Sequence, residues 1–141
     1  MATGTDAIIF TALADRLRAM PQVLPIAGPN VVFPAAGQQL PAKYLRLSFM
    51  PNRTRQITMG DDPQQKRGLL QVSVVWPVGQ GIIGALEVVD QIIDHFKDQT
   101  LFASGVRITI SSEPWAAGPL QESERVQIPV TIPYHAFEPE N

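Results

Sequence analysis

The residues with chemical potential in this chain are few. It holds two histidines, His95 and His135, and no cysteine, which removes disulfides, thiol catalysis and zinc–thiolate sites together. Neither histidine has a companion at the spacing of His-x-x-x-His, so both read as solvated or capping residues rather than metal ligands. Asp61-Asp62 offers carboxylates, but calcium takes about 6–8 oxygen ligands on a shaped loop, and Asp-Asp-Pro63 is ordinary turn chemistry. Gly79-Gln-Gly-Ile-Ile-Gly84 matches Gly-x-Gly-x-x-Gly literally. Its context argues against a dinucleotide, because the preceding strand belongs to an antiparallel hairpin and Asp98 ends a helix instead of following a second parallel strand. No phosphate loop or nucleophile elbow is present. The sequence calls for no catalytic residue, no metal and no cofactor.

What remains is basic. Arg53, Arg55, Lys66 and Arg67 fall on the two limbs of one arm, around a Gly60-Asp-Asp-Pro63 turn. Two readings stand: the charges solubilise an exposed hairpin and blunt its edges, or they meet an acidic neighbouring subunit or passing phosphates. Trp115, in a loop rich in Pro, Ala and Gly, is either tucked over the core or an interface anchor. No reading helix or aromatic platform accompanies the arginines, which argues against sequence-specific recognition of nucleic acid.

The elements that position these residues follow from periodicity. From Lys43 to Pro77 the chain reads as one long hairpin, with Leu45, Leu47 and Phe49 alternating on one limb and Leu70, Val72, Val74 and Trp76 on the other. Residues 52–67 between them have nothing to bury, and that arm is expected to protrude. Thr5-Asp6 caps a first helix that carries Ile9, Ala12, Leu13, Leu17 and Met20 on one face and stops at Pro21. Prolines 21, 25, 29, 34 and 41 make residues 21–41 an extended connector. Ile82, Leu86, Val89, Ile93 and Phe96 form the buried stripe of a second helix, and Gly84 inside it marks a close approach.

Val106, Ile108 and Ile110 predict a further strand, and Val126 to Tyr134 the last. Pro129 and Pro133 strip donors from one edge of that last strand, which places it at a sheet border. The fold class is α+β: a mainly antiparallel sheet of about four strands, the protruding hairpin at 43–77, and two helices packed on one face. A single domain over 1–141 is expected, with loose ends at 1–4 and 137–141.

The whole-chain numbers fit that picture. Hydrophobic residues are 45% and charged residues 17% of the chain, a globular composition. A net charge of −2 excludes broad nucleic-acid binding and leaves only local patches. No apolar run approaches the ~20 residues that cross a bilayer, and the first residues do not read as a signal peptide. Neither a membrane nor a small-molecule substrate is expected as a partner.

The block from Tyr44 to Pro77, above all Pro51-Asn-Arg-Thr54 through Gly68-Leu-Leu-Gln-Val72, resembles the tail-terminator proteins of long, non-contractile bacteriophage tails. Gly81 to Phe96 and Arg125 to Tyr134 extend the resemblance over roughly residues 5–136. It implies a structural virion protein rather than an enzyme: a small α+β subunit that closes into a hexameric ring, caps the tail tube, stops its polymerisation and joins it to the head. The implied partners are further copies of the chain, the tube protein and a head-completion or connector protein, with DNA passing transiently. The implied location is the virion tail, and the bacterial host cytoplasm during assembly. Other neck or tube rings share this type of fold. A nucleic-acid-binding module using the basic hairpin, or an enzyme with an unrecognised site, are the readings from other classes.

Overall fold

Alternating apolar residues on the two limbs of the hairpin pair in register, and the rest of the sheet grows from them. The computed structural model describes residues 5–21, 24–29, 31, 33–34, 37, 39–51, 55–56 and 64–137, with only the backbone of Arg55, Gln56, Gln64 and Gln65. Strand β2 (Tyr44–Pro51) runs antiparallel to β4 (Gln64–Pro77), with Leu45 opposite Val74, Leu47 opposite Val72 and Phe49 opposite Leu70. Residues directly opposite share a face, so these six side chains line one side of the sheet.

The sheet is larger than expected and is mixed. Among the described residues nine strands take part, in the continuous order β1-β2-β4-β9-β6-β5, with β3, β7 and β8 as short flanking pieces. Strand β1 (Ile26–Ala27) pairs parallel to β2 and makes the sheet mixed; β3 (Arg55–Gln56) extends the hairpin against β4. Strands β5 (Thr100–Ala103) and β6 (Val106–Ile110) form a second hairpin, and β7 (Trp115–Ala116) and β8 (Leu120–Gln121) follow it. The last strand, β9 (Arg125–Phe137), receives β6, β7 and β8 on one side and β4 on the other.

So β9 is central, not a border. The prolines nonetheless act as the sequence implied. Pro129 and Pro133 direct their carbonyls away from β4, accepting from the amides of Ala117 and Ser111 at 2.9 and 3.1 Å. Their missing donors therefore fall on that same side. Along it the partner is broken into β8 opposite 126–127, β7 opposite 130–131 and β6 opposite 134–137. Both prolines lie at the breaks. The stripped edge is filled by three fragments instead of being left open.

Both helices cover one face. Helix α1 (Thr5–Arg18) buries Ile9, Leu13, Ala14 and Leu17, and α2 (Ile83–Phe96) buries Ala85, Val89, Ile92 and Phe96. They share one core with Leu70, Val72, Val74, Ile108, Ile128, Val130 and Ile132. Each large buried side chain contributes roughly 1.5–3 kcal/mol.

The α2 stripe differs from the expected one. Val89 and Phe96 are in it, but Ile82 and Leu86 are exposed and Ile93 is half-buried, while Ala85 and Ile92 are fully buried. The reason is Gly84. A Cβ there would lie 2.8 Å from Cζ2 of Trp76, so the helix seats its small residues, Gly84 and Ala85, against β4 and turns the larger ones aside. The close approach read from Gly84 is therefore the device that rotates the helix.

Candidate functional site

The sheet has a second face, and among the described residues no helix covers it. Arg67 on β4 lies opposite His135 on β9, which lies opposite Thr109 on β6. In the adjacent row Phe137 on β9 faces Arg107 on β6, which faces Phe102 on β5. Arg67 and Arg107 are exposed, and Phe102 is 76% exposed. The Arg107 guanidinium sits 5.1 Å above the Phe137 ring, and the His135 ring meets Phe137 edge-on at 5.9 Å. These strands thus place two guanidiniums and an imidazole beside two aromatic rings.

The electrostatics of this patch act on its own histidine. Partial burial pushes the His135 pKa below its ordinary value, and the positive charges of Arg107 and Arg67 lower it further. His135 is thereby held neutral between two cations. Among the described residues no ion pair engages Arg67 or Arg107.

At the far end of the same face Arg46 and Arg125 each donate to the hydroxyl of Tyr44 at 3.1 Å. Phe33, from the connector, packs on the Tyr44 ring at 5.1 Å and closes that end with Ala27 and Val75. Trp115, opposite Thr131, stands on the middle of the face and is 51% exposed. Met50 at 41% and Leu120 at 56% add to the exposed apolar surface. Trp115 is therefore not tucked over the core.

Of the other basic positions on the arm only Lys66 has a described side chain, and it lies apart from this patch. Arg53 and the Gly60-Asp-Asp-Pro63 turn fall outside the described residues. The backbone of Arg55 pairs with Gln65 at the outer end of the hairpin. Lys66, one residue out of phase with Arg67, turns to the helical side, its Nζ 4.0 Å from the Asp6 carboxylate of α1. Lys66 and Arg67 are thus on opposite faces, as strand pleating requires.

The glycine string and His95 are used structurally. Gly79 and Gly81 adopt φ of 89° and 69°, the left-handed region that favours glycine, and Gly84 packs on Trp76. All three glycines of the Gly-x-Gly-x-x-Gly string therefore have a local use. His95 borders an open cleft with Met20, Pro21, Gln91 and Asp94, where its ring nitrogen bonds the Arg16 carbonyl at 2.6 Å. Among the described residues no group of three or more His, Cys, Asp or Glu is placed to hold a metal ion.

Sequence reasoning missed Phe102 and Arg107. The signal was Ser104-Gly105, whose φ values of 50° and 82° make the tight turn joining β5 to β6. A two-residue loop with both φ positive is the favoured hairpin connection. Reading it would have set Phe102 beside Arg107.

Comparison with known proteins points one way. A family model described as phage tail terminator protein matches residues 8–134. No curated protein matches the chain significantly. A solved structure that carries no functional name superposes with a TM-score of 0.73 at 26% identity, covering 99% of this chain and 100% of its own.

Proposed function

The chain belongs to the phage tail terminator family, and from that premise we propose that its copies close into a hexameric ring that caps the tail tube. The ring stops tube polymerisation and then presents a surface for head joining, so the working chemistry is surface complementarity rather than bond-making. The family match over 8–134 carries this reading. It is supported by a sheet face bearing Trp115, Phe102, Met50 and Leu120, all more than 40% exposed. Exposed apolar surface of that kind, mixed with arginine, is typical of interfaces. Arg53 and Arg55 on the hairpin arm contact a neighbouring subunit or the tube in the same proposal, and the genome passes through the opening without tight binding.

Negative-stain images of the purified protein, with and without tail tubes, test the reading. Rings of uniform diameter seated at one end of the tubes are the expected result. Protein that neither forms rings nor binds tube ends overturns it. A steep salt dependence with micromolar or tighter affinity for DNA would instead assign the chain to nucleic-acid binding.

A further inference from the structure

Two unlike surfaces lie on opposite sides of this subunit. Helix α2 carries Glu87, Asp90 and Asp94 and neither Lys nor Arg. All three acids are exposed, and among the described residues no ion pair engages them. Beside them Ile83 and Leu86 are 75% and 39% exposed, left out of the core by the rotation that Gly84 imposes. This helix packs on the core face of the sheet. The patch of Arg67, Arg107 and Phe102 is on the face that points away from it.

The two surfaces are alike in one respect and opposite in another. Each sets exposed apolar side chains among charges that form no ion pair in the described part of the subunit. The signs are opposite. Because the sheet separates them, they cannot meet within one molecule. A two-fold contact would bring either surface against itself, acid on acid or arginine on arginine, and like charges across an interface are strongly unfavourable. A head-to-tail contact brings acid onto arginine and Leu86 onto Phe102. Such a heterologous contact builds rings when its rotation closes.

We propose that the occupant of the Arg67–Arg107–Phe102 patch is the acidic face of α2 from a second copy of this chain. The inference rests on the ring reading above and names the two surfaces that close the ring. Every subunit then uses both surfaces once.

The absence of cysteine makes the test direct. A chain carrying Leu86→Cys and Phe102→Cys, concentrated and mildly oxidised, is expected to give a ladder of disulfide-linked multimers, while neither single variant cross-links. A single variant that dimerises by itself shows a two-fold contact and overturns the proposal. No ladder under conditions where the unmodified protein forms rings overturns the face assignment and leaves the ring reading standing. Unmodified protein that forms no rings and binds no tubes removes both.

Charge exchange gives an independent arm. Glu87→Lys with Asp90→Lys, and separately Arg67→Glu with Arg107→Glu, should each raise the concentration for half-assembly by roughly tenfold or more. An equimolar mixture of the two variants should assemble again, since each presents what the other needs. Variants that assemble like the parent overturn the proposal. So does double-stranded DNA binding that Arg67→Glu with Arg107→Glu abolishes while assembly is unchanged, because the patch would then serve nucleic acid.

Discussion

Arg16 and His95 hold each other through the main chain. The Arg16 guanidinium donates to the His95 carbonyl from Nε at 3.2 Å and from Nη2 at 2.7 Å, and His95 Nε2 donates to the Arg16 carbonyl at 2.6 Å. Both carbonyls belong to final helical turns, where backbone acceptors run short of intrahelical partners; that of Arg16 also accepts from the Ala19 amide at 3.1 Å. Each side chain therefore caps the other helix, tying the C-terminal end of α1 to that of α2. A carbonyl only accepts, so His95 carries its proton on Nε2.

This reciprocity predicts coupling. Arg16→Ala and His95→Ala should each destabilise the fold by about 1–2 kcal/mol, the range for lost hydrogen bonds with a charged or partly buried group. Alanine keeps the carbonyl that the other side chain bonds, but losing one link loosens the helix ends and weakens the other, so the double variant should lose less than the sum. Urea denaturation of the four proteins in the cycle measures this.

The two histidines also set a pH dependence. Burial pushes His95 below its ordinary pKa, as does the Arg16 charge, while the bond to the Arg16 carbonyl works in the opposite direction. His135 is lowered by burial and by Arg107 and Arg67. In the unfolded chain both return to about 6.5, so just below that pH the unfolded state binds more protons. The stabilisation is complete above 6.5 and is lost as the pH falls toward the folded values. Denaturation midpoints measured across this range should fall with pH. His95→Gln with His135→Gln should flatten that slope.

Gly84→Ala sets two effects against each other. Alanine favours a helix interior by about 1 kcal/mol over glycine. The added Cβ, however, meets the Trp76 ring at 2.8 Å. Trp76 is 8% exposed, and its ring lies 4.4 Å below Lys43 Nζ, so it has little room to withdraw. Overpacking of this kind costs about 1–3 kcal/mol. The clash should win, with a lower denaturation midpoint and a shift in the Trp76 fluorescence.

How much of this was legible in the sequence depended on whether local rules decided the outcome. The β2–β4 register was readable because Leu45, Leu47 and Phe49 could meet Leu70, Val72 and Val74 in only one phase. The Gly84 contact was readable because glycine inside a helix needs a reason. The α2 face was not, because Ile82, Ile83, Leu86, Val88 and Ile93 make the helix apolar over more than half its girth. Packing at Trp76 then selected the face. Pro129 and Pro133 told correctly that one edge of the last strand lacks donors, but not that β6, β7 and β8 would arrive as fragments around them. The basic site was legible only in part. Arg67 was named from its place on the arm, whereas Arg107 joined it through the pairing of β6 with β9, which no local pattern announces, and brought Phe102 with it across the β5–β6 hairpin.

Gly68 is constrained more tightly than Gly84. A Cβ there would stand 2.7 Å from the Met50 carbonyl oxygen and 2.9 Å from the Pro51 Cα, both backbone atoms of the paired strand. Strand pairing on both sides, with Pro51 and with Tyr134, prevents either from retreating. Gly68→Ala should cost about 3 kcal/mol, the upper end for overpacking, and more than Gly84→Ala. Thermal unfolding of the two variants side by side checks the order.

Tyr134 supplies the third atom crowding Gly68. Its hydroxyl would lie 2.6 Å from that Cβ, is buried, and has no hydrogen-bond partner among the described residues. Its ring stacks on Phe49 at 5.9 Å with planes 9° apart, and Phe49 in turn meets Phe10 of α1 at 5.3 Å. Tyr134→Phe keeps that stack and removes a buried polar group that gains nothing in return. A hydroxyl without a partner carries a desolvation penalty of about 1–3 kcal/mol, so the variant should be as stable as the parent or about 1 kcal/mol more stable. The same change removes one of the three obstacles to a side chain at 68. Gly68→Ala should therefore cost less in the Tyr134→Phe background than alone, yet still destabilise, because Met50 and Pro51 stay in place. A double-mutant cycle with equal costs in both backgrounds would show that the hydroxyl does not occupy the space above Gly68.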